Sequence, residues 1–255
     1  MKTVAIIQAR TSSSRFPGKV LRPLCGMPMI AFMLARVSRV KRVDQVVVAT
    51  SDDASDDALA ACVREHGHAC HRGSLDDVLA RFHGAAASTG ADIVVRLTGD
   101  CPLMDPELVD TVVERLAIEP GLSYVSNVAP PTFPDGLDVE AFTFDALEAA
   151  HREARLGSDR EHVTPFIRNH GDRFRSTNIS GIGDMSHLRW TIDYEDDLKF
   201  VTSLLAAAGI DAPSRGDRFD FYRVLEAHPH LLTINQHGRN EGLVKSLLAD
   251  KMGTP

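Results

Sequence analysis

Three cations follow the first apolar run of the sequence and could bind a polyanion. Arg10, Arg15 and Lys19 lie in the stretch QARTSSSRFPGK, which also contains four hydroxyl side chains, a proline and a glycine. A loop of this composition after a strand suits a polyphosphate, because guanidinium, ammonium and hydroxyl groups donate hydrogen bonds to phosphate oxygens. The nucleotide-binding P-loop pattern does not fit, since Ser13 stands where its first glycine should be and Val20 follows the lysine. A solvated basic turn is the alternative interpretation.

Two aspartates stand at the ends of later apolar runs. Asp100 comes after residues 93–97, and Asp193 comes after residues 188–192. The carboxyl ends of parallel strands meet at one edge of a sheet, so we expect both carboxylates beside the basic loop. Mg²⁺ typically binds one or two carboxylates together with phosphate oxygens, which makes this pair a candidate metal site. Each aspartate alone is equally typical of a turn or a helix cap.

The four cysteines predict free thiols, because they are too few for a disulfide scaffold in a chain of 255 residues. One stretch crowds five potential soft-metal ligands together, namely Cys62, His66, His68, Cys70 and His71. A structural zinc site usually takes its ligands from two spaced pairs in a loop, whereas this stretch crosses a predicted helix end and a strand. Metal binding there is therefore the less favoured alternative. Cys101 has no partnered base in the sequence and is interpreted as a small packing residue.

The first half of the chain alternates between strand and helix patterns. Apolar runs predict strands at residues 4–7, 45–50, 68–71 and 93–97, and helical spacing predicts a helix at residues 29–40. Further helices are predicted from three N-cap signals, namely Ser55, Ser74 with Asp77 as a capping box, and Asp105 followed by Pro106. Regular β-α alternation indicates an α/β fold with a mostly parallel sheet and helices on both faces, in which ligands bind beyond the carboxyl ends of the strands.

The alternation stops after about residue 124. Three prolines precede a charged, strand-like run at residues 136–142, and two helices follow, the second capped by Ser158 with Glu161 three residues later. Residues 188–192 predict one more strand, which is followed by a helix, and the chain from Asp217 onward predicts an amphipathic helical tail. We interpret residues 1–255 as a single domain with an insertion at 128–180 and a tail at 215–255.

Composition excludes several classes of function. The formal net charge is -7, from 35 acidic and 28 basic residues, so there is no global basic field to hold a polynucleotide. No apolar run approaches the ~20 residues of a membrane helix, and the first residues lack the pattern of a signal peptide. We therefore expect a cytoplasmic protein that binds a nucleotide rather than a polynucleotide, with no membrane association.

Several motifs together resemble a known family. They occur in order along most of the chain: residues 7–10 and 15–21 (IQAR and RFPGKVL), 72–81 (RGSLDDVLAR), 96–103 (RLTGDCPL), 135–140 (DGLDVE), 158–165 (SDREHVTP) and 188–193 (LRWTID). The first motif resembles the signature of cytidylyltransferases that make CMP-activated acidic sugars, such as the CMP-3-deoxy-manno-octulosonate synthetases. The whole set is most similar to the group named for the spore coat polysaccharide biosynthesis protein F.

The resemblance implies a Rossmann-like nucleotidyltransferase fold with a dimerisation insertion, and a homodimer that acts in polysaccharide biosynthesis. It implies that CTP and Mg²⁺ are bound and that CMP is transferred to a small anionic acceptor with release of pyrophosphate. Carried over by position, the catalytic residues are Arg10, Arg15, Lys19 and Asp100. The nucleotide-binding residues are Gln8, Ala9, Arg10, Lys19, Gly73, Ser74, Asp77 and Asp100. The metal ligands are Asp100 and Asp193, and the acceptor-binding residues are Asp138, Glu140 and His162.

Two positions depart from the sugar-acid synthetases, which usually have proline at Gln8 and glutamate at Cys101. These departures leave open whether the acceptor is an acidic sugar, a phosphonate or another phosphorylated small molecule, and whether the base is cytosine or guanine. A metal-dependent glycosyltransferase is a competing hypothesis, although those enzymes favour two acids separated by one residue, unlike Asp100-Cys101-Pro102. A nucleotide-sensing subunit without catalytic activity is the alternative outside enzymes.

Overall fold

The computed structural model describes residues 1–239 and 241–252 and contains a seven-stranded sheet. The strands are β1 (Thr3–Gln8), β2 (Pro23–Leu24), β3 (Met27–Pro28), β4 (Gln45–Ser51), β5 (Ala69–Gly73), β6 (Ile93–Thr98), β7 (Tyr124–Ser126), β8 (Glu140–Thr143) and β9 (Ser176–Asn178). The order in the sheet is β5-β4-β1-β6-β8-β7-β9, and β2 pairs with β3 in a separate hairpin. All neighbouring pairs in the sheet are parallel except those of β8, which runs antiparallel to β6 and β7.

The helices cover both faces of this sheet. They are α1 (Met29–Val37), α2 (Asp57–Glu65), α3 (Val78–Thr89), α4 (Pro106–Ile118), α5 (Phe144–Glu153), α6 (Gly157–His162), α7 (Pro165–Asn169), α8 (Glu195–Ala207), α9 (Arg218–Ala227) and α10 (Glu241–Met252). Side chains alternate along β1, so Ala5 and Ile7 pack with the core of α1, α2, α4, α8 and α9, while Val4 and Ile6 pack with the core of α3, α5 and α7. The predicted α/β fold with helices on both faces of a mostly parallel sheet is confirmed.

Two of the predicted N-caps in the first half are wrong by a few residues. Helix α3 is capped by Asp77, whose carboxylate accepts a hydrogen bond from Ala80 N–H, whereas Ser74 Oγ accepts from Asp77 N–H in the turn before the helix. Ser55 does not cap α2, whose N-cap is Asp56; the Ser55 N–H donates to Asp53 at the start of a short 3₁₀ turn. In both places an aspartate takes the position expected for serine. Asp105 caps α4 as predicted.

The cap predicted at Ser158 is also wrong. Ser158 lies inside α6, whose N-cap is Leu156, and the Ser158 N–H donates to the Asp250 carboxylate of α10 instead. The donor that a local cap would satisfy is therefore satisfied by a residue far along the chain. Sequence spacing carries no information about such a partner.

The strand predicted at residues 188–192 is wrong, because the segment forms only an isolated parallel bridge between Asp135 and Arg189. Its backbone donors bind loop carbonyls: the N–H groups of Trp190 and Thr191 donate to Asp135 O, and Ile192 N–H donates to Asp100 O at 2.8 Å. A side chain at Gly136 would lie 2.6 Å from Thr191 N, so only glycine permits this approach. The segment nevertheless brings Asp193 to the end of β6.

The end of the chain packs on α1 and α8 before it reaches α10. Arg36 on α1 is fully buried and donates hydrogen bonds to the carbonyl oxygens of Met104, Pro213, Arg215 and Gly216. Helix α9 and a 3₁₀ turn at Pro229–Thr233 follow, and α10 buries none of its side chains. Residues 240 and 253–255 of the predicted helical tail lie outside the described residues. Within the described ranges, no helix combines the length and the apolar character that a membrane crossing requires.

Candidate functional site

A cleft of about 760 Å³ lies at the carboxyl ends of β1 and β6. Its walls include the loop after β1, the loop after β6, the segment around residues 135–140, the region from α6 to α7, and α10. Most of the side chains singled out from the sequence therefore face one common space. Those lining it are Gln8, Ala9, Arg10, Arg15, Lys19, Asp100, Asp138, Glu140, His162 and Asp193.

Two close contacts give the loop after β1 its shape. A side chain at Gly99 would lie 2.8 Å from Ala9 Cβ and 3.0 Å from Gln8 O, so glycine lets the loops after β1 and β6 touch. Asp56 is fully buried, and its carboxylate accepts from the N–H and the hydroxyl of Thr11, both at 2.7 Å. Phe16 is buried in the core further along the loop. The basic loop is therefore anchored at both ends rather than being a solvated turn.

Lys19 connects the two aspartates predicted as metal ligands. Its Nζ lies 3.0 Å from Asp100 Oδ2, 2.8 Å from Asp193 Oδ1 and 2.8 Å from the carbonyl oxygen of Ile192. Burial acts to lower the pKa of Lys19, but the two carboxylates raise it above its ordinary value. Burial likewise acts to raise the pKa of Asp100, and Lys19 with nearby hydrogen bonds lowers it instead. Lys19 therefore holds Asp100 ionised, and the same ammonium group also contacts Asp193.

Two arginines complete the surroundings of Asp193. Arg15 Nη2 lies 2.7 Å from Asp193 Oδ1, and Arg189 Nη2 lies 3.3 Å from Asp193 Oδ2. Arg189 is buried and also binds the carboxylates of Asp135 and Asp197. Arg189 thus fixes the orientation of Asp193 from the buried side, outside the cleft lining, whereas Arg15 contacts Asp193 from within the cleft.

Asp135 and Asp138 bring two further carboxylates to the cleft. Burial raises the pKa of Asp135 to about 6 against the opposing effect of Arg239 and Arg189. Burial also raises the pKa of Asp138 to about 7, although Arg239 forms an ion pair with this carboxylate. Asp138 therefore titrates near neutral pH at the position predicted to bind the acceptor.

Glu140 belongs to a buried hydrogen-bond network. Its carboxylate accepts from Tyr124 at 2.5 Å and from Thr164 at 2.6 Å, and it forms an ion pair with Arg96. Arg96 in turn donates to Gln8 Oε1 at 3.1 Å. The network fixes the side-chain oxygen of Gln8, which lines the cleft, and links a predicted nucleotide-binding residue to a predicted acceptor-binding residue.

His162 lies where α6 meets α10. Its Nε2 is 3.1 Å from Ser246 Oγ, and the same hydroxyl donates to Glu161 at 2.5 Å. Burial lowers the pKa of His162 against the effect of Glu161. The imidazole is therefore mainly neutral at pH 7 and offers a hydrogen bond rather than a charge.

Three residues predicted to bind the nucleotide lie behind the wall of the cleft. Gly73, Ser74 and Asp77 are not among the residues that line it, whereas Arg81 of the same segment is. Arg81 Nη1 donates to Ser74 O at 2.6 Å, and Asp77 caps α3 and pairs with Arg160. These residues therefore orient Arg81. Burial lowers the pKa of Arg81, and the nearby, exposed Arg10 lowers it further.

The ligand atoms of the crowded cysteines and histidines do not converge in the structure. In the described ranges, the only group of three or more such ligands that converges is Asp196, Asp197 and His237. There Asp197 already accepts from Arg189 and Asn235, so its charge is compensated by protein donors. All four cysteines are free thiols, as predicted, and burial raises the pKa of Cys101 well above its ordinary value, which keeps it protonated.

Sequence reasoning missed several residues that support the site from outside or add to its lining. Asp56 orients the basic loop, Arg189 orients Asp193, and Arg81, Arg168 and Lys245 add cations to the lining. Arg189 lies in the motif at residues 188–193, so its position there was the available signal. Asp56 is one of several acids in the run SDDASDD and carries no distinguishing signal.

Comparisons with known proteins agree with this geometry. A family model described as "Cytidylyltransferase" matches residues 4–212. Spore coat polysaccharide biosynthesis protein SpsF of Bacillus subtilis is 34% identical over 80% of this chain and 86% of its own length. The 3-deoxy-manno-octulosonate cytidylyltransferase of Geobacter sulfurreducens is 38% identical over 48% of each chain. A solved cytidylyltransferase structure from Leptospira borgpetersenii superposes with a TM-score of 0.87 at 32% identity, covering 94% of this chain and 100% of that one. The chain belongs to the cytidylyltransferase family.

Proposed function

We propose that the protein transfers CMP from CTP to an acidic sugar and releases pyrophosphate. The observation that carries the proposal is the contact of Lys19 with both Asp100 and Asp193 inside the cleft, at the end of a loop that bears two more cations. The names of two relatives add support, since one is a 3-deoxy-manno-octulosonate cytidylyltransferase and the other acts in spore coat polysaccharide biosynthesis. We further propose that the protein is a cytoplasmic homodimer, with residues 128–180 contributing to the acceptor site and to the dimer interface.

The loop after β1 is proposed to bind the triphosphate. Arg10, Arg15 and Lys19 offer positive charge along the cleft wall, and the loop hydroxyls of Ser13 and Ser14 line the same wall. A triphosphate would replace carboxylates as the partner of Arg15, because phosphate oxygens are strong acceptors for guanidinium groups. The cleft is also lined by Gln8 at the end of β1, by Ala9 directly after it and by Arg81 of α3. We assign contacts with the ribose and the base to these three residues.

Asp100 and Asp193 fit a magnesium ion by the chemistry of their donors. They supply two carboxylates within reach of one ammonium group, and oxygen donors of this kind are what Mg²⁺ binds together with phosphate oxygens. When bound, such an ion neutralises phosphate charge and polarises the phosphorus that is attacked. The proposed dependence on Mg²⁺ follows from this donor set.

The reaction is proposed as a single in-line displacement. An acceptor oxygen attacks the α-phosphorus of CTP, the new P–O bond forms, and the bond to the pyrophosphate oxygen breaks. The cations of the loop stabilise the charge that develops on the leaving pyrophosphate, so the contribution of the protein is positioning and charge neutralisation. Asp138, Glu140 and His162 are assigned to the acceptor side, with Glu140 acting through its network rather than as a free carboxylate.

A pyrophosphate-release screen tests the proposal. The four nucleoside triphosphates are each combined with a panel of acidic sugars and phosphonates, with Mg²⁺ and with EDTA. We expect release only with CTP, an acidic sugar and Mg²⁺, and a loss of about a hundredfold for Asp100→Asn. Asp52→Asn, at an exposed position outside the cleft lining, serves as the matched control. Release of free nucleoside diphosphate from nucleotide sugars would contradict the proposal, as would CTP binding without turnover of any acceptor.

A further inference from the structure

Helix α10 forms a wall of the cleft although it lies outside the matched family region. The family match ends at residue 212, whereas α10 spans Glu241–Met252. The cleft is lined on this side by Gly242, Lys245, Ser246 and Ala249, together with the flanking Glu241 and Leu243. Spacings of three and four residues place the first four on one helical face. One continuous face of α10 therefore lines the cleft.

Polar contacts hold the helix in this orientation. Ser246 binds His162 and Glu161 at its middle, and the Asp250 carboxylate accepts from Ser158 N–H near its end. At its start, Glu241 accepts from Tyr194 at 2.8 Å and lies 3.4 Å from Arg15. Because the helix has no buried side chains, these contacts determine which face it presents to the cleft.

The charges of the cleft divide into paired and unpaired groups. Lys19 and Arg15 bind Asp193, and Arg96 binds Glu140. Among the residues that the structure describes, Lys245 has no ion pair, is exposed and lines the cleft. It directly precedes Ser246, the residue that contacts His162 and Glu161 of α6. Lys245 is therefore an exposed positive charge of the cleft lining, one residue from the Ser246 contact with His162 on the proposed acceptor side.

We propose that Lys245 is a specificity-determining residue that binds the carboxylate of the acceptor. An exposed ammonium group in the cleft lining can form a charge-assisted hydrogen bond with a carboxylate, and it has no equivalent effect on a neutral sugar. The proposal rests on the proposed function and deepens it, since it assigns recognition of the acid group to a helix outside the matched family region. Lys245 acts on binding of the acceptor and has no part in the bond exchange.

The test compares steady-state kinetics of Lys245→Met, Lys245→Arg and Lys251→Met with those of the wild type. Lys251→Met is the matched control, because Lys251 is an exposed lysine of the same helix that does not line the cleft. Each enzyme is assayed by pyrophosphate release with CTP and the acidic sugar that gave turnover, and with the primary amide of that sugar. Thermal melts establish that the variants are folded.

We expect Lys245→Met to raise the KM for the acidic sugar about tenfold or more, with the KM for CTP unchanged. Its preference for the acid over the amide should fall, while Lys245→Arg retains that preference and Lys251→Met behaves as the wild type. An unchanged KM for the acid, an increase confined to the KM for CTP, or a wild type that does not distinguish acid from amide would overturn the assignment. A wild type without any turnover overturns the proposed function itself, which separates the two failures.

Discussion

At the residue scale, Lys19 is a buried cation shared by two aspartates of the cleft. It is 7% exposed and separates two carboxylates that would otherwise repel each other in a partly buried space. Its contribution to stability and its proposed role in catalysis are therefore coupled.

We predict that Lys19→Met lowers turnover by about a hundredfold or more and also lowers the stability of the protein, whereas Asp100→Asn lowers turnover alone. The reason is that the lysine variant leaves the carboxylates of Asp100 and Asp193 without their shared partner. Pyrophosphate release and urea unfolding measure the two effects. A Lys19→Met variant that is as stable as Asp100→Asn would contradict the coupling.

Asp138 gives the cleft a titration near neutral pH. Its pKa in the folded protein is about 7, above its ordinary value of 3.8, which applies to the unfolded chain. Between these values the folded state binds more protons than the unfolded state, so this group contributes less stability as pH rises toward 7. Its contribution is complete below about pH 4 and lost above about pH 7.

We predict that Asp138→Asn gains stability relative to the wild type as the pH rises from 5 to 8. The amide cannot ionise, so the cost of a buried charge disappears at the higher pH, up to about 1.4 kcal/mol for each unit of pKa shift. Urea unfolding at both pH values measures the difference between the two proteins. Asp211→Asn, at an exposed position outside the cleft, is the control. A difference that shrinks with rising pH would show that the Asp138 pKa is not raised.

At the element scale, the basic loop depends on a residue from another element. The Asp56 carboxylate, between β4 and α2, accepts from Thr11 and also from Thr50 and Ser51. Burial acts to raise the pKa of Asp56, and these hydrogen bonds lower it, so the anchor is charged at neutral pH.

We predict that Asp56→Ala lowers the free energy of unfolding by about 2–4 kcal/mol and weakens CTP binding, because buried donors lose their partner and the loop loses its anchor. Calorimetric titration with CTP and chemical unfolding measure these effects. Asp52→Ala, four residues earlier and exposed, is the matched control. Unchanged CTP affinity in a destabilised Asp56→Ala protein would limit the role of Asp56 to folding.

The elements differ in how far the sequence could predict them. The strands and helices of the first half followed from local periodicity, because each has an apolar face that must pack on the sheet. The segment at 188–192 has the apolar pattern of a strand, but its partners are the carbonyl oxygens of Asp135 and Asp100, which no local pattern reveals. The same limit explains the site. Asp100 and Asp193 were predicted to lie close together and do, but only Asp100 follows a strand, and Asp193 is brought there by the loop contacts of residues 190–192. Arg189 and Asp56 act through contacts with Asp135 and Thr11, which are distant in sequence.

At the scale of the whole molecule, the end of the chain returns to the cleft by a defined path. Arg36 binds the connection at residues 213–216, and Arg239 binds Asp138 and the carbonyl oxygen of Phe133. These contacts hold the tail up to Arg239 against the rest of the protein. Helix α10 follows and contributes polar contacts at the cleft but no buried side chain.

We predict that a chain ending at Arg239 folds but has a weakened acceptor site. Loss of α10 removes partly exposed hydrogen bonds, each worth about 1 kcal/mol or less, so the melting temperature should fall by no more than about 5 °C. The same truncation removes Lys245 and the partner of His162, so the KM for the acceptor should rise more than the KM for CTP. Thermal melts and steady-state kinetics of the truncated and full chains measure both effects. A large fall in melting temperature with unchanged kinetics would make α10 a structural element, whereas the expected pattern makes it part of the substrate cleft and separates the stability of the fold from the choice of acceptor.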